Sequence, residues 1–230
     1  MAKDKKAELV PTVCTDNYQT AAWKSNFGDE YAERNKITQE DLKNRKNLWR
    51  AIIAGIVDVT AQLPESFIEV GAGVGINIQA ISDVLKNMRP KVIPKFTAIE
   101  INDTSITELR KLNDYIDVLV IPKNIADNVE IAVKADVVFT SGLLIHIHPN
   151  KLLEAMKKIV DMSNKYVVCI EYFSPEQREI KYRGENSLLW TNDFGSIYLD
   201  EFGLSLIYCL FLWDRLTGMD NTTLWVFEKK

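Results

Sequence analysis

The run Phe67-Ile68-Glu69-Val70-Gly71-Ala72-Gly73-Val74-Gly75 decides how this chain is read. A short apolar strand leads into glycines at alternate positions, and the next stretch, Ile76 to Leu85, puts Ile78, Ile81 and Leu85 on one helical face. Strand, glycine loop and helix in that order form a cradle for a nucleotide-type ligand. Gly71 permits a tight turn, Gly73 lets a ligand approach the backbone, and Gly75 lets helix and strand pack closely. The cradle sits at the amide-rich N-terminus of the helix. By spacing alone it also suits nicotinamide and flavin proteins, and a turn that merely needs small residues is the plain alternative.

Outward from the loop, strands and helices alternate. Phe96 to Ile101 reads as a second strand and Ser105 to Leu112 as a helix; Val118 to Ile121 and Asp136 to Phe139 read as further strands. Pro149 suits the first turn of a helix whose buried face would be Leu152, Leu153, Met156, Ile159 and Val160. Tyr166 to Ile170 makes a fifth strand. This order implies right-handed crossovers and an α/β, mostly parallel, doubly wound sheet. Glu171 to Trp190 is a long polar segment with aromatic residues, of the kind that often carries function. A short helix after Asp193 is expected. Leu204 to Trp213 and Thr222 to Phe227 then form an antiparallel hairpin at the sheet edge, joined by a turn with Gly218, Asp220 and Asn221.

Upstream, residues to about Thr15 read as a frayed leader, followed by a helix around Asn17 to Asn26 and a polar turn at Phe27-Gly28-Asp29-Glu30. Thr38-Gln39-Glu40-Asp41 reads as a capping box opening a helix through Leu48, Trp49, Ile52, Ile53 and Ile56. The expected organisation is a helical cap over residues 1–60 packed on a domain over residues 61–230, as one globular unit. The 230 residues fit one core. A net charge of -4 offers no general attraction to nucleic acid or anionic lipid. Cys14, Cys169 and Cys209 lack metal or redox spacing; the last two sit in apolar runs and read as buried free thiols in a reducing, cytoplasmic setting. No apolar run reaches membrane length. Carboxylates and histidines are not clustered at ligand spacing, so no metal is expected. Trp190, Trp213 and Trp225 read as core.

Glu100 ends the second predicted strand, about thirty residues beyond the loop because Arg89 to Lys95 is inserted. A carboxylate there accepts both ribose hydroxyls of a nucleoside. Glu69, just before the first glycine, is unwelcome beside a pyrophosphate because like charges repel. It suits the cationic methionine portion of S-adenosylmethionine, which favours that cofactor over NAD.

Glu69 to Gly75 with Glu100 resembles the first two motifs of class I methyltransferases. Phe27-Gly28-Asp29-Glu30-Tyr31-Ala32-Glu33-Arg34-Asn35 is similar to the N-terminal signature of the pseudaminic acid biosynthesis-associated methylase family. So are Ser141 to Ile147, Glu171 to Pro175, Glu179 to Gly184 and Asp193-Phe194, in order along nearly the whole chain. The chain departs from the family pattern in its richer glycine loop, and in Ile121-Pro122-Lys123-Asn124 in place of a Gly-Ser turn. The resemblance implies a Rossmann-like fold with seven strands, S-adenosylmethionine as cofactor, S-adenosylhomocysteine as product, and a small acceptor from sugar biosynthesis of the nonulosonic-acid kind.

The expected cofactor-binding residues are Tyr31, Arg34, Glu69, Gly71, Ala72, Gly73, Asn77, Glu100, Ile101, Asn124, Ile125 and Ser141. Tyr31 and Arg34 share a helical face and close the pocket, with Arg34 pairing the methionine carboxylate; a solvated surface arginine is the alternative. Asn124 is the candidate for the adenine edge. His146, Tyr172 and Arg183 are the catalytic candidates. His146 follows the fourth strand, where neutral imidazole can take a proton from a hydroxyl or ammonium nucleophile; a hydrogen-bonded packing histidine is the alternative. His148 reads as exposed or structural. Tyr172, Tyr182 and Arg183 lie in the long segment, which either folds over the methyl group or packs as a plain lid. Arg183 suits an anionic sugar acceptor. The rival functions are an NAD(P)-dependent oxidoreductase, a non-catalytic S-adenosylmethionine-binding module, and a nucleic-acid or protein methyltransferase. Neither membrane nor nucleic acid is an expected partner.

Overall fold

The computed structural model describes residues 17–91 and 93–230. The expected leader up to Thr15, with Cys14, lies outside the described residues. The glycine loop joins strand β1 (Ser66–Val70) to helix α4 (Ile76–Met88). Ahead of them run α1 (Asn17–Trp23), α2 (Asn26–Arg34) and α3 (Gln39–Thr60). Beyond them come β2 (Lys95–Glu100), α5 (Asp103–Lys111), β3 (Val118–Pro122), β4 (Ala135–Ser141), α6 (Pro149–Met162) and β5 (Ser163–Glu171). The chain ends with α7 (Phe194–Asp200), β6 (Ser205–Leu212), α8 (Asp214–Thr217) and β7 (Thr222–Glu228).

These seven strands form the main sheet in the order β3-β2-β1-β4-β5-β7-β6, and Arg178–Glu179 and Trp190–Thr191 make a separate antiparallel pair. All pairings from β3 to β5 are parallel; β7 runs antiparallel to both its neighbours. The hairpin is therefore present as expected, but its second strand inserts beside β5 and leaves β6 at the edge. Strand order reverses between β1 and β4, so their following loops diverge and open a crevice at the carboxyl ends of the strands.

Strand periodicity sorts the core into two layers. Phe67 and Phe139 face one side with Trp49, Ile52, Ile53 and Ile56 of α3 and Ile78 and Ile81 of α4. Ile68, Val70 and Val138 face the other with Leu152, Ala155, Met156 and Ile159 of α6 and Phe194 and Tyr198 of α7. Trp49 is completely buried against the Phe139 ring at 4.5 Å; truncation of a side chain so placed costs about 3–5 kcal/mol. Thr38 caps α3 by accepting the Asp41 amide at 3.1 Å, as the capping box predicts. Asp193 caps α7 by accepting the Ser196 amide at 3.0 Å.

Four expectations are corrected. Phe27 to Glu30 is the first turn of α2, not a polar turn between helices. The Gly28 and Asp29 amides bond Ser25 O at 2.9 and 3.1 Å, and the Asp29 carboxylate accepts hydrogen bonds from Asn102 Nδ2 at 2.9 Å and Thr104 Oγ1 at 2.7 Å. Those bonds hold its pKa below the ordinary value. Leu153 is half exposed, because Leu152, Met156 and Ile159 face the sheet while Leu153 points away. Cys209 and Trp213 are exposed, because β6 is the sheet edge and Trp213 lies past its end under Arg215 at 5.9 Å. Cys169, Trp190 and Trp225 are buried as expected. Among the described residues no helix is long and apolar enough to cross a membrane.

Candidate cofactor and active site

A cavity of about 380 Å³ lies at the carboxyl ends of β1, β2 and β4, floored by the glycine loop and walled by α1, α2 and α3. All twelve expected cofactor residues line it. Gly73 has φ +53°, and a Cβ there would meet no atom within 4 Å, so its open side faces free space. Gly71 has φ +72°, and a Cβ there would lie 2.6 Å from Leu143 Cδ1; the turn after β4 is packed directly on the loop.

Glu69 ends in the interior. Its Oε1 accepts Asn77 Nδ2 at 2.6 Å, and Asn77 Oδ1 in turn accepts the Trp49 indole N–H at 3.1 Å. The second bond fixes which way the Asn77 amide faces. Glu69 Oε2 is buried and has no hydrogen-bond partner. Burial is the main cause that pushes this carboxyl up to about 8, while Asn77 and the positive charge of Arg45 pull it down.

Glu100 is held by backbone. Its Oε1 accepts the Ile101 and Asn102 amides at 2.7 and 2.9 Å, and its Oε2 accepts the Gly73 amide at 2.7 Å. The carboxylate thus ties the end of β2 to the middle of the glycine loop, at the cavity wall. Ile101, Ala72 and Ile125 supply apolar wall.

Asn124 reaches the cavity wall, yet its carboxamide is engaged within the fold. Both Nδ2 protons go to Thr20 Oγ1 at 2.8 Å and Asp127 Oδ1 at 3.0 Å, while its Oδ1 accepts the Ala126 amide at 3.0 Å. It fastens α1 to the turn after β3.

Tyr31 and Arg34 do share a face of α2 and both line the cavity. Burial pushes the Tyr31 phenol up to about 12. Arg34 is one-third exposed and bonds Glu30 at 3.5 Å. A deeper guanidinium escaped sequence reading: Arg45 of α3, whose Nη1 donates to Ser141 Oγ at 3.3 Å. Burial lowers its pKa, and the charges of Glu69 and Asp220 raise it. A signal existed, since Arg45 lies three residues after Leu42 and four before Trp49, on the helix's own apolar stripe. Asp220, in the turn before β7, also lines the cavity and had no such signal.

His146 ends a short 3-10 turn, Leu144–His146, and is buried. Its Nδ1 lies 2.6 Å from Leu188 O. A carbonyl only accepts, so Nδ1 carries the proton and Nε2 the lone pair. Burial holds the ring neutral, down to about 4. The Trp23 and Tyr182 rings pack on it at 4.6 and 5.2 Å, and Gln19 Nε2 donates to its carbonyl at 2.6 Å. His148 also lines the cavity, and its Nδ1 caps α6 by accepting the Asn150 amide at 3.2 Å, beside Trp190.

The other catalytic candidates stand back. Tyr172 donates its hydroxyl proton to Asp220 Oδ2 at 2.7 Å, so it reaches the cavity through that carboxylate. Arg183 is exposed, with φ +52°, and lies 5.6 Å from the Tyr182 ring. Neither side chain forms part of the cavity wall. Tyr182 does link the long segment to the site, through His146 and through Phe27 at 6.0 Å.

No family model matches the chain, and no curated protein matches it. Solved structures do. The 1,6-didemethyltoxoflavin-N1-methyltransferase of Burkholderia thailandensis, with S-adenosylhomocysteine bound, superimposes with a TM-score of 0.69 at 14% identity, over 98% of this chain and 93% of that one. Magnesium protoporphyrin IX methyltransferase of Synechocystis, with S-adenosylmethionine bound, gives 0.63 at 12% identity over 92% and 95%. An S-adenosylmethionine-dependent methyltransferase of Clostridium acetobutylicum gives 0.61 at 10% identity over 88% and 97%. At such identities the likeness speaks to architecture: this chain has the Rossmann-like methyltransferase fold.

Proposed function

We propose that the chain is an S-adenosylmethionine-dependent methyltransferase acting on a small acceptor. The observation that carries this reading is the buried, unpartnered oxygen of Glu69 at the wall of a cavity floored by the glycine loop. A buried carboxylate oxygen without a donor is costly. The ammonium group of a bound methionine moiety would supply that donor and a compensating charge, whereas a pyrophosphate would supply neither. Glu100 is already oriented by three amides to receive ribose hydroxyls, and the empty side of Gly73 admits the ligand backbone-close.

S-adenosylmethionine supplies an electrophilic methyl on sulfur when bound. The chain's own part is to hold and orient. Glu69 and Arg34 serve the two ends of the amino-acid portion, Glu100 the ribose, and Ile101 and Ile125 the flat base. The neutral His146 offers Nε2 to accept the proton that a hydroxyl or ammonium nucleophile releases. Helices α1 and α2 over the cavity limit water, as the cap assigned to residues 1–60 would do for the unit over residues 61–230.

The finer reading is a sugar-derived acceptor of the nonulosonic-acid kind. It is supported by the ordered resemblance of Phe27–Asn35, Ser141–Ile147 and Glu179–Gly184, and by Arg183 on the Tyr182 ring, which suits an anionic group. Free Cys169 and Cys209 support a reducing, cytoplasmic setting.

Isothermal titration with S-adenosylhomocysteine and, separately, NAD tests the proposal. Binding of the thioether is expected, with no heat from NAD. Tight NAD binding and no response to the thioether would replace the methyltransferase by an oxidoreductase.

A further inference from the structure

Strand β5 ends on Glu171, a carboxylate to which the methyl-transfer reading gives no task. It is completely buried. Its Oε1 accepts the Leu143 and Leu144 amides, each at 3.1 Å, and its Oε2 accepts the Ile145 amide at 3.4 Å. These amides are consecutive, and they open the 3-10 turn that His146 ends; that turn is closed by His146 N donating to Leu143 O at 2.8 Å. Successive N–H groups aimed at one point form an anion-binding concavity. Here a side chain from the neighbouring strand fills it.

An apolar residue would occupy the same volume without taking a charge out of water. Burial in fact pushes the Glu171 carboxyl up to about 7, although the amides of the turn pull the other way. What the carboxylate gains for the fold is geometric. Three backbone donors drawn to one group fix the dihedral angles of Leu143, Leu144 and Ile145, and with them the direction in which the next residue leaves the turn. That residue is His146. Its other ties come from parts outside the sheet: Gln19 of α1 to its carbonyl and Leu188 of the long segment to its ring. Glu171 anchors the same turn to β5, within the sheet.

We propose that Glu171 is a positioning residue: by gathering the amides of Leu143, Leu144 and Ile145 it sets the orientation of the His146 imidazole toward the cavity. The inference rests on the reading of His146 as proton acceptor. It also reaches the cofactor side, because Leu143, the first residue held, packs against Gly71 of the glycine loop.

The chain holds two histidines, so a long-range proton–nitrogen correlation spectrum of isotope-labelled protein contains two imidazoles. His148, the cap of α6, serves as internal reference. In the unaltered protein His146 should show a single neutral form, protonated on Nδ1 and bare on Nε2. Glu171→Gln replaces one accepting oxygen by a donor that meets the turn's amides head-on. The variant should remain folded by circular dichroism, displace or split the His146 ring signals, and leave those of His148 in place. If Glu171→Gln does not fold, Glu171→Asp keeps the charge and draws it back by one methylene, and the same displacement is expected. Unchanged His146 signals in a folded variant overturn the proposal. Titration of the unaltered protein with S-adenosylhomocysteine separates this from the parent reading: displaced His146 signals without any thioether binding would sink the methyltransferase and leave the role of Glu171 in the turn standing.

Discussion

Asn77 gives an amide proton to Glu69 at 2.6 Å and leaves the second carboxylate oxygen of Glu69 buried without a partner. With its carboxyl pushed up to about 8, Glu69 is mostly protonated at neutral pH in the empty protein. An ammonium group arriving beside it favours the charged form. Binding of S-adenosylhomocysteine at pH 7 should therefore release close to one proton per site. Titrations in buffers of different ionisation enthalpy measure this directly. Glu69→Gln should abolish the release, and a release that persists in that variant would place the ammonium elsewhere.

The same shift governs stability without ligand. Glu69 has a folded pKa of about 8 and an unfolded value near 4.5, so its contribution is fully present below about pH 4.5 and is lost as pH rises through 8. His146 has the opposite sign: held down to about 4, its contribution is present above 6.5 and is lost as pH falls toward 4. From Glu69 alone the melting temperature should fall by roughly 4–8 °C between pH 6.5 and pH 9. Glu69→Gln should remove most of that decline and leave the smaller share of Glu171, whose carboxyl burial pushes up to about 7. A flat profile in the unaltered protein would mean that Glu69 is ionised in the fold.

Glu100 joins β2 to the glycine loop through the Gly73 amide and faces the cavity where a ribose would lie. Glu100→Ala removes both the hydroxyl acceptor and the tie, and should weaken S-adenosylhomocysteine binding roughly 100-fold. Calorimetry on a variant shown to be folded measures it. Normal affinity would show the ribose to be placed wrongly.

Arg34 and Arg45 are the two guanidinium groups at the cavity. Methylthioadenosine lacks the amino-acid portion, so the ratio of its affinity to that of S-adenosylhomocysteine reports the carboxylate contact alone. Arg34→Ala should reduce the preference for the full ligand roughly tenfold, as loss of one charged pair would. If the preference survives in Arg34→Ala and disappears in Arg45→Ala, the pairing belongs to Arg45.

Sequence by itself determined the strand, loop and helix from Phe67 to Leu85, the strand–helix alternation and the pairing of Glu69 with Glu100. Those features are local: hydrophobic period, glycine spacing and the residue at a strand end need no knowledge of distant neighbours. It also located His146, because ligands gather where strands of an open sheet end. Tertiary structure decided the rest. Asn77 lines the cavity, and its orientation is fixed by Trp49, 28 positions away. Arg45 meets Ser141 across 96 positions, and Glu171 meets the turn of His146 across 26 to 28. Such contacts arise only when the sheet brings β1, β4 and β5 side by side. Exposure was equally out of reach for Cys209 and Trp213, since an apolar strand reads alike whether it lies inside a sheet or at its edge. The Gly71–Gly75 loop could suggest a nucleotide-type ligand; only the packed interior could leave one oxygen of Glu69 buried without a partner.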